Sequence, residues 1–221
     1  MAEEPKYVSR ATERDVVSFI YSCFNNYGWK TSFNYLTFKP KHFFSKPLII
    51  PERSRLDFSK YVEYCFLLSN TFTDKDDVAK YKNNYGTSIY FSAVLYWLLI
   101  HYGVLSEKGL KFCQGYYRYK TKDGSKFRAG MHTWLTFYGS VIDVTIWQEQ
   151  DNFDFNNSAH TSIIAGNIPK GLNLAGFEED KSLIKEYARR FAKDSGFTFH
   201  DWLSLHKHQA DSLLSLQKNQ P

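Results

Sequence analysis

The stretch that decides the fold runs from Asn83 to Val104 and reads NNYGTSIYFSAVLYWLLIHYGV. It opens with polar residues and a glycine, continues as a helix-length run with almost no polar side chains, and closes on Gly103. A helix that is apolar on all sides is stable only when other elements surround it, so this run predicts a central buried helix. Thr87 and Ser88 fall in its first turn, where the helix dipole is positive.

The composition of the 221 residues is that of a folded chain with a sizeable core. Hydrophobic residues make up 43% and aromatic residues 18%, which is unlike a disordered chain. The formal charge is +5, and the basic residues are spread along the chain rather than gathered in a stripe. We therefore expect no nucleic-acid partner. The longest apolar run, Ile89 to Ile100, is too short to span a bilayer, so no membrane segment is expected.

The N-terminus and the cysteines indicate where the protein works. The opening residues, MAEEPKYVSR, lack the basic-then-apolar form of a signal peptide, which predicts a cytoplasmic location. Export by a dedicated secretion machine would leave no mark of this kind and stays open. Cys23, Cys65 and Cys113 lie among apolar neighbours without CxxC spacing. They are predicted to be buried free thiols rather than disulfides or zinc ligands.

Three histidines near the C-terminus are numerous enough to suggest a metal site. They are His200, His206 and His208, in the run FHDWLSLHKH. Their spacing does not match two ligands one helical turn apart, and no carboxylate cluster accompanies them. We therefore expect no metal and no cofactor. The sequence leaves the oligomeric state open.

Predicted helices lie on both sides of a central group of predicted strands. The predicted helices lie at residues 12–25, 58–70, 74–82, 178–193 and 198–217. The predicted strands lie at residues 109–121, 127–137 and 140–147, with a weaker extended segment at 30–38. Tyr138-Gly139 suits a two-residue hairpin loop because glycine adopts a positive φ without strain. The strands are therefore expected to form an antiparallel meander after the central helix.

The remaining segments are predicted to be irregular. Prolines at positions 40, 47 and 51 keep residues 39–56 extended, and residues 148–175 form a long polar loop. No linker divides the sequence, so we expect a single α+β domain over residues 1–221. Its parts would be a core at about 80–147, a helical N-terminal extension at 1–79 and C-terminal helices at about 178–217.

The hairpin loop brings a histidine and an aspartate to one face of the sheet. We take Phe137 to pair with Ser140 across the loop, so that Trp134 lies opposite Asp143. His132 points to the same face as Trp134 and becomes a diagonal neighbour of Asp143, with backbones roughly 7–8 Å apart. Such a carboxylate can hold one ring nitrogen and leave the other to a reacting group. A polar pair without chemistry is the plainer alternative.

A helix, a strand, a strand with histidine and a strand with aspartate follow one another in this chain. This order resembles the transglutaminase-like branch of the papain-like cysteine enzymes. The family pattern is C-x-x-x-A-x-L-x-x-x-x-L-x-x-x-G on the helix, then G-Y, H-x-W and G-x-x-x-D-x-T. The corresponding residues are Ser88, Ser92, Val94, Leu99, Gly103, Gly115-Tyr116, His132-Thr133-Trp134, Gly139 and Asp143-Val144-Thr145. The resemblance covers about residues 80–147, and its second half is the more specific.

The resemblance implies a papain-like fold and acyl transfer on an amide. A nucleophile at position 88 would attack a carbonyl, His132 would shuttle protons and Asp143 would hold the imidazole. The activity would be that of a protease, a glutamine deamidase or a transglutaminase, with a protein or peptide substrate. Candidates for oxyanion donors or site-lining residues are Asn83, Asn84, Tyr85 and Trp134.

The side chain at position 88 departs from the pattern, because the family has cysteine where this chain has Ser88. Three interpretations stay open: a serine that replaces a native cysteine, a natural loss of the nucleophile, and a serine that itself reacts. Cys113 is a poorer candidate, because it lies in a strand among aromatic neighbours. The alternatives to an enzyme are an inactive transglutaminase-like binding module and an unrelated α+β interaction protein.

Overall fold

The computed structural model describes residues 41–71, 87–120, 127–146 and 163–217. Within these ranges, four α-helices pack on a six-stranded antiparallel sheet, so the protein has the predicted α+β class. No helix of the described part is long and apolar enough to cross a bilayer. Three predicted segments lie outside the described residues: 12–25, 30–38 and 74–82.

The sheet extends the predicted meander on both sides. Its strands are β1 (Lys41–Phe43), β2 (Leu110–Lys120), β3 (Phe127–Phe137), β4 (Ser140–Asp143), β5 (Ile164–Gly166) and β6 (Leu172–Glu178). The helices are α1 (Arg55–Thr71), α2 (Thr87–His101), α3 (Lys181–Asp194) and α4 (Phe199–Gln217), with a 3-10 turn at Glu52–Ser54. The strand order is β1-β6-β2-β3-β4-β5, and every neighbouring pair is antiparallel.

The prediction of residues 148–175 as one long loop is wrong for the part that the structure describes. β5 and the first half of β6 lie there, and β6 is an inner strand between β1 and β2. The apolar residues of β6 alternate between two cores, with Leu172 and Leu174 in one and Ala175 and Phe177 in the other. Such alternation is the mark of a strand buried on both faces. The polar residues before it hid that pattern.

Residues 39–56 also hold more structure than their prolines predict. β1 forms an edge strand at residues 41–43, and a 3-10 turn precedes α1. α1 itself begins three residues earlier than the predicted helix at 58–70, because the chain enters it directly from that turn. Of its predicted apolar stripe, Tyr61, Tyr64 and Cys65 are buried.

α2 is the central helix that the sequence predicts. Every residue from Ile89 to Leu99 is buried, and the helix packs against α1, α3, α4, β2 and β3. After its last turn, Gly103 adopts a φ of 67°, and the Val104 amide donates to the Leu99 carbonyl at 2.9 Å. Glycine is favoured at this position because a left-handed conformation strains other residues.

The sheet is curled, so its two faces belong to different cores. Residues of the convex face that join the helical core include Phe112, Leu135, Ile142 and Phe177. Residues of the concave face form a second core that includes Cys113, Trp134, Val141, Ile164 and Leu174. The curl brings Phe43 of β1 against Trp134 of β3, with ring centroids 5.3 Å apart, although β6 and β2 lie between these strands.

Gly115 of β2 permits a close approach between β2 and β6. A Cβ atom at this position would lie 2.1 Å from the Ala175 carbonyl oxygen and 2.5 Å from the Gly176 Cα. Both obstacles are backbone atoms of an inner strand, which cannot turn aside as the tip of a side chain can. Any larger residue at Gly115 must therefore push the two strands apart.

We predict that Gly115→Ala lowers the free energy of unfolding by about 3 kcal/mol, since overpacking at a rigid contact strains the backbone. Urea denaturation measures this change. Gly130→Ala is the matched control, because the atoms nearest to its added methyl belong to the outer end of the Tyr117 side chain and not to backbone. Equal stability of the Gly115→Ala protein and the wild type would show that the two strands are not held this closely.

His206 of α4 links three helices inside the core. Its Nδ1 lies 2.6 Å from the Tyr64 hydroxyl of α1, and its Nε2 lies 3.1 Å from the Tyr90 hydroxyl of α2. The Tyr64 hydroxyl donates to Gln209 Oε1 at 2.6 Å, so His206 donates from Nδ1 and accepts at Nε2. Burial lowers the pKa of His206 to about 4, because a charged imidazolium there would lose its hydration.

This lowered pKa makes the fold sensitive to acid. Because the unfolded chain binds the proton at about pH 6.5, the contribution of neutral His206 to stability is complete above that pH and is lost as the pH falls toward 4. We predict a loss of about 3 kcal/mol of unfolding free energy through this group. Urea denaturation between about pH 7 and pH 4 should show a flatter pH dependence for His206→Gln.

The matched control is His200→Gln, which changes an exposed histidine of the same helix. That protein should keep the pH dependence of the wild type. If His206→Gln loses stability on acidification as steeply as the wild type, His206 does not titrate with a lowered pKa in the folded protein.

Candidate active site

A two-residue loop fixes the alignment of β3 with β4. Tyr138 and Gly139 both have positive φ, 49° and 84°, which is the hairpin geometry that matches the twist of the strands. The paired residues are Phe137 with Ser140, Thr136 with Val141 and Leu135 with Ile142. The predicted register is confirmed.

This register brings His132 and Asp143 into contact. The His132 Nε2 and Asp143 Oδ2 atoms lie 2.5 Å apart, and the two side chains are 2% and 0% exposed. The pair is shielded from water. Hydrogen bonds and charge interactions are stronger in this buried environment than at the surface. Since Nε2 is turned to Asp143, Nδ1 is the ring nitrogen that a reacting group would have to meet.

The second oxygen of Asp143 ends the strand. Oδ1 accepts from the Thr145 amide at 2.9 Å, the Ile146 amide at 3.1 Å and the Thr145 hydroxyl at 3.2 Å. These bonds turn the chain directly after the last residue of β4. The predicted strand at 140–147 is therefore too long, because Asp143 offers the next two amides a side-chain acceptor in place of a ladder partner. The same three bonds hold the carboxylate with Oδ2 toward His132.

Aromatic rings surround the imidazole on the concave face. The Trp134 ring lies nearly parallel to that of His132, with centroids 6.2 Å apart, and the Tyr117 ring meets it edge-on at 5.9 Å. Trp134 is fully buried, and its indole N–H has no hydrogen-bond acceptor in the part of the chain that the structure describes. Trp134, one of the residues predicted to line the site, therefore lies next to the His132–Asp143 pair.

Ser88 lies in the first turn of α2 and is half-buried. One turn further along the same side of the helix, the Ser92 hydroxyl donates to the Thr133 carbonyl at 3.1 Å. In a two-residue hairpin, the residues next to the loop exchange backbone hydrogen bonds, so Phe137 turns its carbonyl toward β4. Backbone groups of alternate residues point the same way, so the Thr133 carbonyl also lies on the β4 side of β3. The described β3–β4 pairs stop short of Thr133. Ser92, in the first half of α2, therefore contacts the edge of β3 at the residue after His132.

The helix and the histidine nevertheless belong to opposite faces of the sheet. α2 packs with the core of the convex face, which contains Leu135. His132 shares the concave face with Trp134. A group at position 88 would therefore have to approach His132 around the edge of β3, and not across the sheet. Asn83, Asn84 and Tyr85, the other candidates for the site, lie outside the described residues.

The two described cysteines are poorly suited to act as nucleophiles. Cys65 and Cys113 are fully buried free thiols, as predicted for both. Burial raises the pKa of each thiol well above its ordinary value, so neither forms the reactive thiolate readily. Cys113 pairs with Trp134 across β2 and β3 and packs in the concave core. Cys23 lies outside the described residues.

The C-terminal histidines point in different directions. His206 is in the core between helices, whereas His200 and His208 are exposed. No group of three or more His, Cys, Asp or Glu side chains that could hold a metal ion occurs in the described ranges.

Sequence reasoning missed two parts of the site. The first is the hydrogen bond from the Ser92 hydroxyl to β3. The position of Ser92 one turn after Ser88 was the signal in the sequence that could have predicted it. The second is the contact of Phe43 with Trp134 across the curl of the sheet, which no spacing in the sequence predicts.

The chain matches no family model, no curated protein and no solved structure.

We predict that Asp143→Asn reverses the tautomer of neutral His132. In the wild type, the carboxylate oxygen Oδ2 accepts a hydrogen bond from Nε2–H. In the variant, the oxygen in place of Oδ1 still faces the Thr145 and Ile146 amides, so the amide NH₂ faces Nε2 and donates to it. The imidazole proton must then move to Nδ1, as expected when an amide replaces the orienting carboxylate.

Long-range nitrogen–proton NMR spectra of histidine-labelled protein distinguish the two tautomers. Asp180→Asn is the control, because this exposed aspartate caps α3. It should leave the His132 signals unchanged. An unchanged tautomer in Asp143→Asn would show that Asp143 does not control the His132 ring.

Proposed function

We propose that the protein is a transglutaminase-like enzyme with a papain-like core, in which position 88, His132 and Asp143 form a Cys/Ser-His-Asp site for acyl transfer on amides. The substrate is a protein or a peptide. The observation that carries this proposal is the buried contact between His132 Nε2 and Asp143 Oδ2. That contact occupies Nε2, so Nδ1 is the ring nitrogen that would take the proton of the nucleophile.

The path of the chain supports the same proposal. The central helix α2 is followed by β2, by β3 with the histidine and by β4 with the aspartate, in the order of the family that the sequence resembles. The Ser92 hydroxyl ties the first half of α2 to the residue after His132. The nucleophile position is one turn closer to the helix start, where backbone N–H groups lack helical partners and can stabilise an anion.

The proposed reaction begins with attack on an amide carbonyl. The nucleophile at position 88 bonds to the carbonyl carbon while Nδ1 of His132 takes its proton. Asp143 accepts a hydrogen bond from Nε2–H and thereby stabilises the imidazolium that forms. Amide groups at the start of α2 donate to the oxyanion. The carbon–nitrogen bond then breaks, and His132 returns the proton to the leaving amine.

The acyl-enzyme is released by a second nucleophile. Water gives hydrolysis of a peptide or deamidation of glutamine, and an amine gives transamidation. In either case His132 removes a proton from the incoming nucleophile and returns it to the side chain at position 88. The three activities share one set of protein groups and differ in the group that leaves and the group that enters.

Ser88 determines how readily this chemistry occurs. A thiol near imidazole and a helix start ionises at neutral pH, whereas a serine hydroxyl must lose its proton during attack. A specific observation therefore favours a second candidate function: with serine at position 88, the domain can serve as a protein-binding module without turnover. The two functions differ in whether His132 can activate a nucleophile at this position.

Ser88→Cys tests the proposed site without knowledge of the substrate. We predict that iodoacetamide labels the variant at about pH 6.5 roughly tenfold faster than an ordinary thiol, because imidazolium stabilises the thiolate. His132→Ala in the same background should abolish this acceleration. Mass spectrometry locates the label, and wild-type protein gives the background from Cys23, Cys65 and Cys113.

Ser182→Cys is the matched control. Ser182 is the second residue of α3, as Ser88 is the second residue of α2, and it is exposed whereas Ser88 is half-buried. No His–Asp pair is found beside Ser182 among the described residues. It should label at the ordinary rate with or without His132. Equal labelling of the Ser88→Cys protein with and without His132 would refute the enzyme proposal.

A further inference from the structure

A short segment ties together the two edges of the curled sheet. We refer to residues 44–48 as the crossing segment. The Ser45 hydroxyl donates to the Ile168 carbonyl at 3.0 Å and accepts from the Ile168 amide at 2.8 Å. The Ser140 hydroxyl donates to the Pro47 carbonyl at 2.8 Å. Since Ser140 begins the strand that ends with Asp143, the crossing segment is fixed to the strand that carries the carboxylate.

Phe43 lies immediately before the crossing segment and is held on both sides. It pairs with Leu174 of β6, and the Lys46 amide donates to the Gly166 carbonyl of β5 at 3.2 Å. The Phe43 ring meets the Trp134 ring edge-on, with an interplanar angle of 84°. Edge-to-face pairs of this kind have a preferred geometry.

Trp134 depends on packing for its orientation. Its indole N–H has no hydrogen-bond acceptor in the part of the chain that the structure describes, so no polar bond there fixes the ring. The Trp134 ring in turn lies beside the His132 ring, at an interplanar angle of 18°. The Trp134 ring is therefore the one ring between Phe43 and the imidazole in this series of aromatic neighbours.

We propose that Phe43 is a positioning residue that holds His132 in its working orientation through Trp134. The inference rests on the proposed function, in which His132 is the catalytic base. The imidazole must keep Nε2 on Asp143 while Nδ1 meets the nucleophile, and a tilted Trp134 would let the ring leave both partners. Displacements of this size have large effects on reactions that depend on orientation.

The test compares two adjacent phenylalanines. Phe43 packs on Trp134, whereas Phe44 is 70% exposed. In the Ser88→Cys background, we expect Phe43→Ala to slow iodoacetamide labelling at about pH 6.5 by roughly tenfold. At about pH 9, where the thiol ionises without histidine, the rate should stay within about twofold. Phe44→Ala should change neither rate, and Phe43→Tyr should restore the rate near neutral pH.

NMR of His132 in the protein with Ser88 intact gives a readout that does not depend on the nucleophile. Phe43→Ala should mix the two imidazole tautomers while the thermal unfolding transition remains cooperative, and Phe44→Ala should keep one tautomer. If the His132 signals and labelling rates of Phe43→Ala equal those of its parent, the positioning role is refuted. If labelling of Ser88→Cys is independent of His132 while Phe43→Ala still mixes the tautomers, the proposed function fails and the packing chain stands.

Discussion

The contact between Asp143 and His132 is the interaction on which the rest of the site depends. One carboxylate performs two tasks: Oδ1 ends β4 by accepting from the Thr145 and Ile146 amides, and Oδ2 holds the imidazole. The contact requires one particular register of β3 and β4, because a slip of one residue would send the two side chains to opposite faces. The loop of Tyr138 and Gly139, both with positive φ, enforces that register.

The central helix joins this pair to the remainder of the protein. The residues from Ile89 to Leu99 of α2 are all buried, so the helix cannot shift without disturbing the core shared with α1, α3 and α4. The Ser92 hydroxyl then anchors the helix to the edge of β3, beside the histidine. The concave core adds a second constraint from the other side of the sheet, where aromatic rings border the imidazole. A site at position 88 would thus combine a residue of α2, which packs in the helical core, with His132 of the concave face, at the edge of β3.

Local patterns predicted most of the fold and the pair at its centre. The apolar run predicted α2, residues 127–137 were predicted as the strand that became β3, and Tyr138-Gly139 predicted the hairpin that unites His132 with Asp143. Features that depend on distant parts of the chain were not predictable in this way. The pairing of β6 inside the sheet and the contact between Phe43 and Trp134 follow from the curl of six strands, which no short spacing encodes.

The chemistry depends on the distance between position 88 and the imidazole. A serine at position 88 is compatible with an inactive scaffold and with a weak nucleophile. In both cases, a triad requires this side chain to reach Nδ1 of His132 around the edge of β3. A crystal structure of the full chain measures that distance directly. The account predicts that Ser88 Oγ lies within about 4 Å of His132 Nδ1, with Nε2 still bonded to Asp143. A separation of more than about 6 Å, with α2 and the sheet otherwise unchanged, would contradict it.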